Sequence, residues 1–278
     1  MDAGQAVMES RPKLLITGAA GYLGSLLRVG LRDEFRLRLA DIAPLKAPAA
    51  PDEEFVQADL ADARAVETMT AGVDSIVHLG GSAVEAPWDT ILTANIAGTV
   101  NLFEAARACG VKRVVYASTH HVVGFQGRDR KAGPETPVRP DSRYAVSKVF
   151  GEALGRLYAD KHGLSVICQR IGVARPAPPH RRALSNWISE RDYLALTRCC
   201  LMAPDIRFLV VYGASQSRST FYEDPNAARI GFRPQDDSAA FEEAVIAANP
   251  DEEPLPDRLF QGGAYCAAEF SGDLGKID

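Results

Sequence analysis

A chain of 278 residues is long enough for one α/β domain to bury its own core without disulfides or a structural metal. The composition is 46% hydrophobic and 24% charged with a net charge of −5, which excludes a disordered chain and offers no basic stripe for nucleic acid. The five cysteines, Cys109, Cys168, Cys199, Cys200 and Cys266, lack CxxC spacing; they fit neither a disulfide framework nor a zinc site and read as reduced thiols.

Met1–Arg11 has no apolar h-region and is expected as a floppy leader, not a secretory signal. No apolar run is long enough for a bilayer, so the expectation is a soluble, cytoplasmic protein with no membrane partner. Lys13–Thr17 (KLLIT) is a short apolar run ending in glycines, the mark of a buried strand. From Gly21 to Arg32 the spacing turns helical, with Leu23, Leu26, Leu27 and Leu31 on one face. Arg36–Ala40 is a second strand ending on Asp41, and a Pro/Ala-rich loop follows from Pro44 to Pro51. Phe55–Ala58 is a third strand, with a helix near Asp62–Ala71. Ser75–Leu79 is a fourth, and Trp88–Cys109 is a helix stopped by Gly110. Lys112–Ala117, Ser165–Ile171 and Ile206–Tyr212 complete the strands, with a helix over Tyr144–Lys161.

Strand and helix alternate from Lys13 to Ile171, which specifies an α/β fold with a Rossmann-like doubly wound parallel sheet. After Gly172 the alternation loosens into a Pro-rich stretch (RPAPP, 175–179) and a mixed tail. The expected organisation is a dinucleotide-binding domain over 12–172 and a small substrate-binding lobe over 173–278, interleaved with the last strand or strands of the sheet.

Gly18-Ala19-Ala20-Gly21-Tyr22-Leu23-Gly24 stands between the first strand and the first helix. Glycines there allow a tight turn and close approach of backbone to pyrophosphate at the helix N-terminus. Asp41, followed by Ile42, ends the second strand, where a carboxylate accepts from a ribose 2′-OH and repels a 2′-phosphate. The cofactor expected is therefore NAD. Asp59-Leu60 follows the third strand; Asp59 can accept from the adenine amino group with Leu60 backing the ring, or it can be an N-cap-like acid before the next helix.

Tyr144-Ala145-Val146-Ser147-Lys148 is a YxxxK motif, which on a helix sets the ammonium near the phenol. A free tyrosine titrates near ~10, and a neighbouring cation lowers that value. Thr119 follows the fifth strand at the sheet edge where ligands bind, and its hydroxyl can orient a substrate oxygen. His120 and His121 are adjacent on what reads as an extended segment, so they should point to opposite sides and form no metal pair. His78 reads as a satisfied core histidine, and Cys199-Cys200 as packing.

The order TGAAGYLG, DL, HLGG, NIAGT, AST, YAVSK and RIG resembles the extended short-chain dehydrogenases/reductases. The segments LLITGAAGYLG (14–24), IVHLGGSAVE (76–85), YAVSKVFGE (144–152), RIGVARPAP (170–178), LSNWIS (184–189) and RLFQGG (258–263) resemble the uronate dehydrogenase family more particularly. That resemblance implies NAD-dependent oxidation of the anomeric C1 hydroxyl of a cyclic sugar acid to an aldarolactone. Tyr144, Lys148 and Thr119 would be catalytic. It also implies cofactor contacts from Leu79, Gly80, Ser118 and Ile171, with Asn95 steadying the same region or capping a helix. Arg182 matches the arginine that holds the uronate carboxylate, with Arg175 and Arg181 close by. Ala83, His120 and Val173 stand where the family pattern has polar sugar contacts, while His121 matches. The helices around 95–108 and 144–161 resemble those at family dimer interfaces, which implies a homo-oligomer.

Three other readings are a neutral-aldose 1-dehydrogenase, a nucleotide-sugar epimerase or dehydratase, and a non-enzymatic NAD-sensing module. The region after Gly172 is short for a full UDP-binding lobe. A sensing module would need the glycine loop but not Tyr144 and Lys148.

Overall fold

The seven apolar runs form seven parallel strands in a computed structural model that describes residues 11–251 and 253–277. The expected leader lies outside the described residues except for Arg11. That residue is tied down, its guanidinium donating to the Arg32 carbonyl at 2.7 Å.

The strands are β1 (Lys13–Thr17), β2 (Arg36–Asp41), β3 (Glu54–Gln57), β4 (Ser75–His78), β5 (Arg113–Thr119), β6 (Ser165–Ile171) and, after a two-strand side ribbon of β7 (Val173–Ala174) and β8 (Trp187–Ile188), β9 (Phe208–Gly213). Their order is β3-β2-β1-β4-β5-β6-β9. β1 pairs with β2 on one side and β4 on the other, so the direction of winding reverses beside β1 and opens a crevice at the strands' carboxyl ends.

Alternation along each strand feeds two cores. Leu14 and Ile16 pack with Leu27 and Leu31 of α1 (Tyr22–Leu31), whereas Leu15 packs with Val66 and Met69 of α2 (Ala63–Thr70). Helices α3 (Gly98–Ala108) and α4 (Arg143–His162) cover the α2 face through Leu102, Phe103 and Tyr158. Leu196 and Tyr193 of α5 (Glu190–Met202) cover the other.

Three departures from the sequence reading bear on the site. β5 runs on to Thr119 because Ser118 and Thr119 stay in register with Arg170 and Ile171 of β6. The alternation does not loosen at Gly172: β6, α5 and β9 make one more parallel crossover, and α5 starts on a Ser189 cap that accepts from the Asp192 amide at 3.0 Å. The expected helix over Trp88–Cys109 is interrupted by a π-helical stretch, Ile91–Ala97, before α3 begins. Among the described residues no helix is long and apolar enough to cross a membrane.

Candidate active site

The turn after β1 is built around two glycines that a side chain would destroy. Gly18 sits at φ +71°, where a Cβ would come within 2.8 Å of the Leu79 backbone. A Cβ on Gly24 would collide with the Gly18 carbonyl, so that glycine sets how closely α1 approaches β1. Gly21 caps α1 without a side-chain bond, which leaves the helix N-terminus open to an anion. Two adjoining cavities of about 570 and 560 Å³ meet at this turn and share Gly18, Gly21, Leu79, Ser82 and Ala83.

The second cavity is walled by Asp41, Ile42, Ala58, Leu60 and Met69. Its apolar slot with a carboxylate at the rim fits the adenosine half of a dinucleotide, and the bare glycine turn fits the pyrophosphate. Leu60 is in the wall, but Asp59 is not: it is exposed and its Oδ1 accepts from the Ala61 amide at 2.9 Å. The cap of α2 is Asp62, which accepts from Arg64 and Ala65. Gly80 lies just behind, where a Cβ would meet Leu60 Cδ1 at 2.7 Å. Asn95, buried in the π-helical stretch, is a clamp and not a cap. Its Oδ1 accepts from the Ser82 amide at 2.7 Å, and its Nδ2 donates to the Ser82 carbonyl at 3.0 Å and to Ser147 Oγ at 2.9 Å.

Thr119, Tyr144 and Lys148 line the first cavity together with Ser118, His120, His121, Ile171, Val173 and Arg182. The Thr119 hydroxyl neighbours the Tyr144 phenol and favours its ionised form. Lys148 Nζ lies 5.7 Å from the Tyr144 ring centroid. Burial outweighs the lowering expected from Lys148 and pushes Tyr144 well above the ordinary tyrosine value, opposed by the neighbouring Thr119 hydroxyl. Lys148 responds to the same burial, which pulls it down to about 8. Ser118 turns its hydroxyl to Glu152 at 2.6 Å, and Glu152 forms a buried pair with Arg170 at 2.9 Å, which fixes the ends of β5 and β6 beneath the cavity.

His120 and His121 do not diverge as an extended segment would require. They begin a 3₁₀ turn, both face the same cavity, and their ring centroids are 4.0 Å apart. His120 is buried with Nδ1 unpartnered among the described residues, and burial, reinforced by His121 and Arg182, pushes its pKa well below the usual histidine value. His78 is only half satisfied: Nδ1 bonds Thr17 Oγ1 at 2.7 Å, Nε2 has no partner among the described residues, and burial pulls the ring down to about 3.

Of the three arginines, Arg181 is turned away onto the Asn249 carbonyl at 2.7 Å. Arg175 is exposed over the Tyr22 ring at the edge of the same cavity. Arg182 is buried, lines the cavity and donates to the Gln261 carbonyl at 3.0 Å. Sequence reasoning missed Tyr265, His180 and Asp141. Tyr265 and His180 line the cavity from segments distant in the chain, and Asp141 holds His121 Nδ1 at 2.5 Å. The one available signal was the position of Asp141, directly before the Ser142 cap of α4.

The model of the NAD dependent epimerase/dehydratase family matches residues 14–185. A uronate dehydrogenase from Agrobacterium fabrum is 45% identical over 254 residues, 91% of this chain and 96% of that protein. The crystal structure of uronate dehydrogenase from Agrobacterium tumefaciens superposes with a TM-score of 0.89 at 44% identity, covering 92% of this chain and 97% of that one. A mutant of that enzyme complexed with NAD is similar at a TM-score of 0.89 and 43% identity, over 93% of this chain and 98% of that one.

Proposed function

Since the chain belongs to the NAD dependent epimerase/dehydratase family, we propose that it oxidises the anomeric C1 hydroxyl of a cyclic uronate with NAD, giving an aldarolactone. The observation that carries this reading is a single cavity lined by the Thr119 and Tyr144 hydroxyls and by a buried arginine, Arg182, whose guanidinium has no carboxylate at ion-pair distance among the described residues.

Asp41, the glycine turn, Leu79, Ser118, Ile171 and Lys148 would hold NAD, which supplies the hydride acceptor when bound. Tyr144 takes the proton of the C1 hydroxyl while Thr119 orients the same oxygen. A phenol held up by burial serves as a base only with positive charge close to it, and the Lys148 ammonium is placed to contribute. Arg182 clamps the acid end with a donor fork suited to a planar carboxylate. His121 meets the ring hydroxyls. Ala83, Val173 and His120 shape the rest of the ring site and bear on which uronate is preferred.

The test is a panel of galacturonate, glucuronate, neutral aldoses and UDP-sugars with NAD, followed by NADH absorbance. NADH from uronates and none from UDP-sugars is the expected result. NADH from neutral aldoses alone would replace the reading with an aldose 1-dehydrogenase.

The remaining expectations are part of the same proposal. Residues 173–278 act as the substrate-side lobe. Exposed Leu92, Val146 and Leu157, on the π-helical stretch and α4, support a homo-oligomer, which light scattering would test. The five free cysteines support a cytoplasmic location, to be tested by fractionation.

A further inference from the structure

The RLFQGG stretch closes over a carboxylate that the proton chemistry above does not use. Asp141 has no exposed side-chain surface. Its Oδ2 lies 2.5 Å from His121 Nδ1, and its Oδ1 accepts from the Ser142 hydroxyl at 2.8 Å. That hydroxyl accepts in turn from the Ala145 amide at 3.1 Å and caps α4, the helix carrying Tyr144 and Lys148. Room for the carboxylate exists because residues 124 and 262 are glycines; a Cβ on either would collide with it. The Gly262 amide donates to the Gly124 carbonyl at 2.9 Å, so the two glycine segments are joined around the acid.

His121 is held from its faces as well. Its ring centroid is 4.0 Å from that of His120 and 4.1 Å from that of Tyr265. A carboxylate offers acceptors only, so the proton in the contact sits on Nδ1. In the neutral ring the lone pair then belongs to Nε2.

We propose that Asp141 is a positioning residue for the sugar: it fixes His121 in the tautomer whose Nε2 accepts from a substrate hydroxyl in the cavity shared with Thr119 and Tyr144. Without the carboxylate the ring would sample both tautomers, and one of them would present an N–H where an acceptor is needed. What His121 meets rests on the sugar-acid reading; the state of the ring does not.

The direct test is ¹⁵N NMR of histidine-labelled protein, which needs no substrate. The unaltered protein should show His121 protonated on Nδ1 and bare on Nε2, and Asp141→Asn should move population toward the Nε2–H form. An Nε2–H tautomer in the unaltered protein overturns the proposal, and that spectrum decides the matter even where Asp141→Asn does not fold. The kinetic arm is a double-mutant cycle on galacturonate oxidation. Asp141→Asn should lower kcat/KM roughly 10- to 100-fold, as loss of an imidazole's orienting partner does elsewhere, with the KM for NAD unchanged. In a His121→Ala background the same change should cost less than about 3-fold. An equal cost in both backgrounds, accompanied by a lower Tm, would make Asp141 a structural acid and overturn the proposal. The expected tautomer in an enzyme that oxidises no uronate would sink the sugar-acid reading and leave the assignment of the ring standing.

Discussion

The Asp41 carboxylate accepts the Ala20 amide at 2.9 Å, so the acid that ends β2 holds the glycine turn that follows β1. Its second oxygen accepts from Ala43 at 2.9 Å. One side chain therefore sets the shape of the glycine turn and stands at the rim of the second cavity.

Replacing Asp41 should accordingly act twice. Asp41→Ala removes the ribose acceptor and frees two amides, and the loss of a charged hydrogen bond of about 1.5–3 kcal/mol corresponds to a KM for NAD raised roughly tenfold or more. Discrimination against NADP should relax, because the carboxylate that repels a 2′-phosphate is gone. Kinetics with both cofactors check this; equal use of NAD and NADP by the unaltered protein would remove Asp41 from the role.

Tyr144→Phe keeps the ring and its packing but removes the hydroxyl that neighbours Thr119. Turnover should fall roughly 10²–10⁴-fold. NADH binding, followed by fluorescence, should persist. Near-normal turnover would mean that the YxxxK spacing has no part in the chemistry.

The sheet was legible because buried parallel strands are short apolar runs, and β1 and β6 fall on the runs KLLIT and SVICQRI without adjustment. The glycine turn after β1 was legible for a similar reason, since its glycines are dictated locally by φ and close approach. What escaped depends on contacts between distant segments. Tyr265 reaches the cavity from near the C-terminus, and nothing in AYCA marks it. The side on which His120 falls was misjudged because a 3₁₀ turn after β5 leaves no periodic trace over four residues. α5 was hidden by the Pro-rich loop and by a hydrophobic face broken with Arg and Cys.

Lys148 gives a prediction about stability and pH. Its amine is pulled down to about 8 by burial, below its ordinary value of 10.5. Between those two values the unfolded chain binds a proton that the folded chain does not, so this group's contribution to stability rises with pH across that window. Below about pH 8 the burial cost is constant, on the order of 3 kcal/mol. Lys148→Met should therefore raise the Tm of the cofactor-free protein at pH 7 by several degrees. The gain should shrink from pH 8 to 10.5, while turnover and NAD affinity fall. Calorimetry across that range checks it, and a gain independent of pH would assign the effect to packing instead.

Arg182 is the most exposed part of the functional reading. Its guanidinium is buried, which pulls its pKa below the usual arginine value, and its NH1 donates to the Gln261 carbonyl at 3.0 Å. Among the described residues no carboxylate stands at ion-pair distance from it, and Glu253 and Asp141 act on it only from farther off. A buried charge without a close counter-ion is costly, and a substrate carboxylate in direct contact would relieve that cost. Losing a charge-assisted contact of about 1.5–3 kcal/mol means that Arg182→Ala should lower kcat/KM for the uronate roughly 10- to 150-fold. The neutral parent aldose should barely respond. Arg182→Lys keeps the charge but not the fork and should recover only part of the loss. Gly263 offers an independent handle: it sits at φ +61°, and a Cβ there would collide with Arg182 Nε. Gly263→Ala should raise the KM for the uronate and leave that for NAD unchanged. If the unaltered enzyme prefers the neutral aldose, or if Arg182→Ala affects acid and aldose equally, the arginine does not hold an anion and the ring site alone selects the substrate.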